Sequence, residues 1–211
     1  MAAPSSRATA ATGCAEAMAA AGRVVSVNVA LARGIEIGGR RVLTAIGKRA
    51  VSGRVDVRTL GLDGDEQADP SVHGGPAKAV YAYPSEHYPF WQTVRAQAGV
   101  APWDEPLAPG ALGENLTLEG VVETDVFVGD VLRFPDCALA VSQPRLPCFK
   151  LNAAMGFAHA AKLMVESAWC GWYLAVREAG SIAAGDAFDV VAGPREVSLW
   201  ELFRARTGKG V

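Results

Sequence analysis

Ser142-Gln143-Pro144-Arg145-Leu146-Pro147-Cys148-Phe149-Lys150-Leu151-Asn152 is the stretch on which the reading of this chain turns. An apolar run, Ala138-Leu139-Ala140-Val141, feeds into it and reads as a strand. Two prolines then fix φ and remove amide donors on either side of Arg145 and Leu146. The residue before each proline is pushed toward an extended backbone. Cys148 is therefore expected at the end of a rigid, non-helical segment, with Arg145 and Lys150 close by. Cations near a thiol favour the thiolate, which is both a nucleophile and a ligand for soft metals. A free cysteine is also commonly a small buried hydrophobe. The prolines, the cations and the polar Gln143 and Asn152 weigh against a plain core position, and the residues alone leave both readings open.

Working outward, the flanking pattern is β-rich. Val24 to Leu31 is β-branched and partly alternating. Ile35-Glu36-Ile37 and Arg40-Arg41-Val42-Leu43 flank Gly38-Gly39, the signature of a hairpin turn. Residues 45–48, 54–58 and 78–83 continue the strand pattern. Gly129-Asp130 and Gly185-Asp186 each precede an apolar alternation and read as turns entering a sheet, so both aspartates are assigned to structure. Ser85 is a candidate cap for a helix running to about Ala98, with Tyr88, Trp91, Val94 and Arg95 at helical spacing. Phe157 to Glu166 reads as a short amphipathic helix, Trp172 to Val176 as a strand, and Val197 to Arg206 as a last helix. Many short strands with a few small helices predict a mainly β, barrel-like fold (α+β) and argue against a doubly wound parallel sheet.

Composition narrows the function classes. The chain has 211 residues, half of them hydrophobic, enough for one domain with a full core. Its 20 basic and 22 acidic residues leave a net charge of −2, so neither a nucleic-acid polymer nor a membrane surface is expected by bulk attraction. No apolar run approaches a membrane span. Cysteines at 14, 137, 148 and 170 form no CxxC pair, which fits a reducing compartment and a cytoplasmic location. Cys137 and Cys170 sit beside strands and read as core. Asp63, Asp65 and Asp69 look like a calcium loop, but Ala68 and Gly74 stand where an EF-hand needs Gly and Glu. Residues 1–22 are alanine-rich and read as a disordered tail or an over-extended start of the reading frame. Residues 23–192 read as the barrel domain, and 193–211 as a short helical appendage.

Four motifs occur in order: Gly61-Leu62-Asp63-Gly64-Asp65, His73-Gly74-Gly75-Pro76, Gly113-Glu114-Asn115-Leu116, and the segment from Gln143 to Asn152. Together they resemble the MOSC-domain family, related to the C-terminal domain of molybdenum cofactor sulfurase. Gln67-Ala68-Asp69 and Lys78-Ala79-Val80-Tyr81-Ala82-Tyr83-Pro84 are most similar to its bacterial YiiM-type subgroup. The resemblance spans roughly residues 23–206. It implies a β-barrel that binds the molybdenum cofactor, a pterin dithiolene (molybdopterin). Cys148 is then the signature cysteine that ligates molybdenum or carries sulfur. The implied activity is reduction of N-hydroxylated compounds such as hydroxylaminopurines, with electrons from a separate flavoprotein reductase. That subgroup carries a three-helix C-terminal appendage, whereas this sequence has about one helix there.

Under that resemblance, Arg145, Lys150 and Lys78 are candidates for the cofactor phosphate. Gly74, Gly75 and Gly113 allow close backbone approach. Asn115 and Asn152 suit the pterin edges, and His73 suits a proton donor. His87 and His159 read as structural. The substrate is a small molecule, and a monomer or a homodimer is expected. Two other functions use the same residues: a sulfur carrier with a persulfide on Cys148, and a non-catalytic cofactor-binding or storage module.

Overall fold

The computed structural model of the chain describes residues 21–68 and 74–208. The readings of residues 1–20, Asp69, His73 and the last three residues of the 193–211 appendage fall outside them.

Thirteen strands follow in chain order: β1 (Gly22–Val29), β2 (Arg33–Ile37), β3 (Arg40–Thr44), β4 (Arg49–Ala50), β5 (Val55–Arg58), β6 (Gly61–Leu62), β7 (Val80–Pro84), β8 (Leu116–Glu119), β9 (Val131–Arg133), β10 (Ala138–Pro144), β11 (Trp172–Glu178), β12 (Gly180–Ile182) and β13 (Ala187–Val191). The helices are α1 (Tyr88–Gln97), α2 (Phe149–Met155), α3 (Ala160–Ser167) and α4 (Leu199–Arg206). The main sheet runs β13-β9-β10-β11-β7-β8-β1 and closes on itself where Gly22 faces Phe188 and Arg23 faces Ala187. Every neighbouring pair in this ring is antiparallel except β7 and β8. Closure leaves the ring without an unpaired edge. The expected mainly β fold with small helices is therefore the one adopted.

Alternation explains how the barrel wall serves two faces. On β7, Val80 and Ala82 point into the barrel core, while Tyr81 and Tyr83 join a second apolar cluster outside it. On β11, Trp172 and Leu174 point in and Tyr173 packs with the outer cluster. Leu132, Leu139, Val141 and Phe188 complete the inner core. A fully buried leucine such as Leu139 contributes about 1.5–3 kcal/mol relative to exposure. Outside the wall, Leu151 and Met155 of α2, Met164 of α3 and Phe203 of α4 pack around Trp91 and Tyr83.

The hairpin β2–β3 forms as expected, with both turn glycines at positive φ (57° and 73°). Residues 45–48 are not a strand but a connection to β4, with the Lys48 amide donating to the Ile46 carbonyl at 2.9 Å. Ser85 makes no side-chain cap; a short 3-10 turn over Ser85–His87 precedes α1, and Glu86 instead accepts from the Gly120 amide at 2.6 Å. The helix predicted at Phe157 begins at Ala160. Helix α2 was not expected. Its N-cap is Cys148, still extended at φ −128° and ψ 173°, so the proline-stiffened segment ends where the helix begins. Asp130 is fully buried and accepts from the Phe127 and Gly193 amides, and Asp186 accepts from the Ala183 amide, in line with their structural assignment.

Candidate functional site

Strand alternation places Tyr81 and Tyr173 side by side on the outer wall, as register partners with ring centroids 5.5 Å apart. β10 runs past β11 and delivers Arg145 over the Tyr81 ring at 4.9 Å. The Arg145 amide is tied to the Gly171 carbonyl at 3.3 Å, and the residue is 6% exposed. Its guanidinium also lies 3.7 Å from the Met164 sulfur, and no carboxylate pairs with it among the described residues. Burial opposes this charge, but the oxygens of Tyr81 and Tyr173 and the Cys148 sulfur outweigh it and raise the pKa. Burial likewise raises the pKa of Tyr81 and, against the pull of Arg145, that of Tyr173. Near neutral pH the group is thus a guanidinium among protonated phenols, with the Cys148 sulfur beside it.

A cleft with about 630 Å³ of empty space, part of it open to solvent, sits over this platform. Cys148, Arg145 and Lys150 form one side, and Lys78, Tyr81 and Tyr173 the floor toward β7 and β11. Thr44, Ala45, Ile46 and Lys48 close it from the foot of the β2–β3 hairpin. Gly113 is held at φ 87°, where a Cβ would meet Ile46 Cγ1 at 2.7 Å, so glycine lets the two walls touch. The Lys150 ammonium donates to the Leu43 carbonyl at 3.1 Å and joins the cysteine helix to the hairpin. The Lys78 ammonium lies 5.8 Å from the Tyr173 ring centre.

Two residues not singled out together in the sequence organise this wall. Lys48 and Asp65 form an ion pair with side chains 8% and 7% exposed. Asp65 also accepts from the Ala30 amide at 2.8 Å and from the Asn115 amide nitrogen at 2.9 Å. Burial lowers the Lys48 pKa, and Asp65 opposes that shift. Behind them, buried Glu114 accepts from Tyr88, from the Gly110 amide at 2.8 Å and from the Leu112 amide at 3.1 Å. Burial raises the pKa of this carboxylate while those donors pull it down. Glu114 thus fixes the loop that presents Asn115.

The structure brings Cys148, Arg145, Lys150, Lys78, Gly113 and Asn115 together. Asn115, however, spends its amide within the protein: Oδ1 accepts from the Tyr81 amide, and Nδ2 donates to Asn28 O and Asp65. It builds the wall rather than offering a free edge to a ligand. Asn152 is not on the wall; its Oδ1 accepts from the Ala161 amide at 2.8 Å and couples α2 to α3. Gly74 and Gly75 also lie outside the described lining, although the Gly75 amide donates at 2.9 Å to Gln67, which lines it. His73 falls outside the described residues. His87 pairs with Glu123 at 2.8 Å and stacks on Trp169, a structural setting, while Cys137 and Cys170 are core residues as expected.

Among the described residues no three His, Cys, Asp or Glu side chains are grouped to hold a metal ion. The described residues alone thus suit a metal that brings most of its own ligands, as a dithiolene does. With Lys48 neutralised by Asp65, the Cys148 sulfur, a buried guanidinium with no carboxylate partner among the described residues, Lys78 and Lys150 fit an anionic, phosphate-bearing group of that kind, against Glu66 on the same lining.

The MOSC domain family model matches residues 69–189. Protein YiiM of Escherichia coli (strain K12) is 38% identical over 161 residues, covering 75% of this chain and 68% of that protein. A protein of Gibberella moniliformis named a reductase is 35% identical over 157 residues, 74% of this chain but only 27% of that longer protein. The crystal structure of YiiM from Geobacillus stearothermophilus superposes with a TM-score of 0.70 at 30% identity, covering 89% of this chain and 85% of that one.

Proposed function

The chain belongs to the MOSC-domain family, and from that premise we propose that it is a molybdenum-cofactor-dependent reductase of N-hydroxylated compounds. The observation that carries the reading is Arg145. It is a buried cation with no carboxylate partner among the described residues, held instead against Tyr81, Tyr173 and the Cys148 sulfur. Its place beside Cys148 makes the cleft a preformed seat for an anion held through a thiolate. A relative named a reductase supports the oxidoreductase class.

The reaction is R–NH–OH + 2 e⁻ + 2 H⁺ → R–NH₂ + H₂O. When bound, the cofactor supplies a two-electron redox centre for cleavage of the N–O bond. Cys148 supplies the soft ligand. Arg145, set over the Tyr81 ring beside Tyr173, would favour its thiolate. Lys150 keeps donor capacity beyond its bond to Leu43 and, with Lys78, would hold the cofactor's phosphate. Lys48 is held by Asp65, so its charge faces the cleft without leaving the wall net positive. His73, next to Gly74 in the sequence, is the proposed proton donor.

The test is turnover of 6-hydroxylaminopurine with dithionite-reduced methyl viologen, on protein from a host that makes the cofactor. The wild type is expected to release adenine. Cys148→Ala is expected to lose the activity with its fold intact. Full activity in that variant contradicts the ligand role. A persulfide on Cys148 in protein devoid of pterin favours the sulfur-carrier reading instead.

A further inference from the structure

The β2–β3 hairpin is set apart from the barrel. It forms its own two-stranded sheet, with no strand pairing to the ring. Nothing lies within 4 Å of a Cβ built on Gly38 or Gly39, so the tip stands in open space. It carries Arg33, Arg40 and Arg41, all exposed, and Arg49 is exposed on β4 just beyond it. None of the four has an ion-pair partner among the described residues, and Glu36 is the one acidic residue on the hairpin. On the barrel body the pattern differs: Arg23, Arg54, Arg58 and Arg133 each sit on a carboxylate. A cluster of four arginines against one carboxylate, Glu36 opposite Arg41, is in a chain of net charge −2 a local feature that the overall balance hides.

The cluster adjoins the cleft. Leu43 O at the hairpin's end accepts from Lys150, two residues after Cys148, and Thr44 to Ile46 continue from β3 into the cleft wall. Large apolar side chains are exposed on the same segments: Leu43, Leu146 and Phe149 at 54%, 44% and 54%. Apolar contacts beside a charged surface are the makings of a protein interface, and a single-sign surface steers a partner of opposite sign.

We propose that this hairpin, with Leu43, Leu146 and Phe149, is the docking surface for an acidic flavin protein that delivers electrons to the cleft. The proposal rests on the reductase reading. The reaction consumes two electrons that no side chain of the chain provides. A reduced flavin balances it: FlH₂ + R–NH–OH → Fl + R–NH₂ + H₂O, the flavin being oxidised and the N–O bond reduced. Docking at the cysteine side of the cleft brings the donor to the site along a short path. The interface is expected to be of the small, weak, salt-sensitive class of electron-transfer encounters.

The probe is flavodoxin hydroquinone, a small acidic flavin protein, compared with reduced methyl viologen in turnover of 6-hydroxylaminopurine. The holoprotein and its Arg40→Glu/Arg41→Glu variant are measured across a salt series. Neither residue lines the cleft. Flavodoxin-driven kcat/KM is expected to fall about tenfold in the variant at low salt, and in the wild type as salt rises. The viologen-driven rate is expected to stay within about twofold. Equal flavodoxin-driven rates in the two proteins overturn the proposal. So does an equal loss with viologen, which places the effect in the cleft. Viologen-driven turnover without any flavodoxin-driven turnover in the wild type overturns it as well. A single-stranded DNA oligonucleotide that displaces flavodoxin at physiological salt makes the hairpin a nucleic-acid arm instead. No turnover with either donor defeats the reductase reading underneath.

Discussion

Removing the Asp65 carboxylate should expose how much of the cleft wall depends on one buried ion pair. Asp65 serves three donors: the Lys48 ammonium, the Ala30 amide at 2.8 Å and the Asn115 side chain at 2.9 Å. Asp65→Ala leaves a buried ammonium without a counter-charge and two donors without an acceptor. Breaking a buried pair from one side costs about 3–5 kcal/mol. The two orphaned neutral donors alone account for about 2 kcal/mol or more of that. Burial already lowers the Lys48 pKa and Asp65 opposes the shift, so the lysine can shed part of the penalty by losing its proton. The lower half of the range is therefore expected. In a chain of 211 residues this is a fall in Tm of about 10 °C. The assay is urea unfolding followed by tryptophan fluorescence, at matched cofactor content because a bound ligand shifts stability by mass action. Lys48→Met should cost less, since Asp65 keeps two of its three donors. The double variant Lys48→Met/Asp65→Ala should fall short of the sum of the singles by about 1–2 kcal/mol. Additive losses, or an Asp65→Ala cost below about 1 kcal/mol, would refute the view that this pair is buried and coupled.

Three further outcomes follow from the geometry. In a Cys14→Ser background, native iodoacetamide labelling below pH 9 should mark Cys148 and spare Cys137 and Cys170, which are 3% and 0% exposed. Burial and the neighbouring Asp136 raise the Cys137 pKa from 9.0 to about 11, so the fold keeps this thiol protonated where the unfolded chain ionises it. Its contribution to stability is therefore complete below about pH 9 and lost as the pH rises toward 11, and Cys137→Ala should flatten that part of the stability–pH curve. Gly171→Ala should cost about 3 kcal/mol. At φ 61° its Cβ would meet the Ala82 carbonyl oxygen at 2.4 Å, and the shift would travel through the Gly171 carbonyl to Arg145. A Tm within about 1 °C of wild type would show that β7 and β11 yield easily there.

The fold was legible where pattern and turn chemistry agree. Residues 138–141 and 172–176 are apolar enough to be central strands, and Gly38-Gly39 announces its hairpin. Helix α2 was not legible because Pro144 and Pro147 dominate the local reading. The buried pair Leu151 and Met155, four residues apart, was the signal available. Residues 45–48 read as strand because their apolar members resemble one, yet they pack across Gly113 as a cleft wall. At the site, Cys148 and Arg145 stood out because they share one short motif. Lys48 and Asp65 did not, since their pairing joins two loops that only the closed barrel brings together. The amide assignments of Asn115 and Asn152 show the same limit. A polar side chain in a motif can serve a ligand or the backbone, and here the backbone holds much of both.

The most direct test of the central claim is molybdenum by elemental analysis, with pterin fluorescence after oxidation, on wild type and Cys148→Ala from a cofactor-competent host. The account predicts about one molybdenum and one pterin per wild-type chain, with the metal lost or sharply reduced in the variant. Wild-type protein with neither metal nor pterin, or a Cys148→Ala variant that keeps a full complement of both, would contradict it.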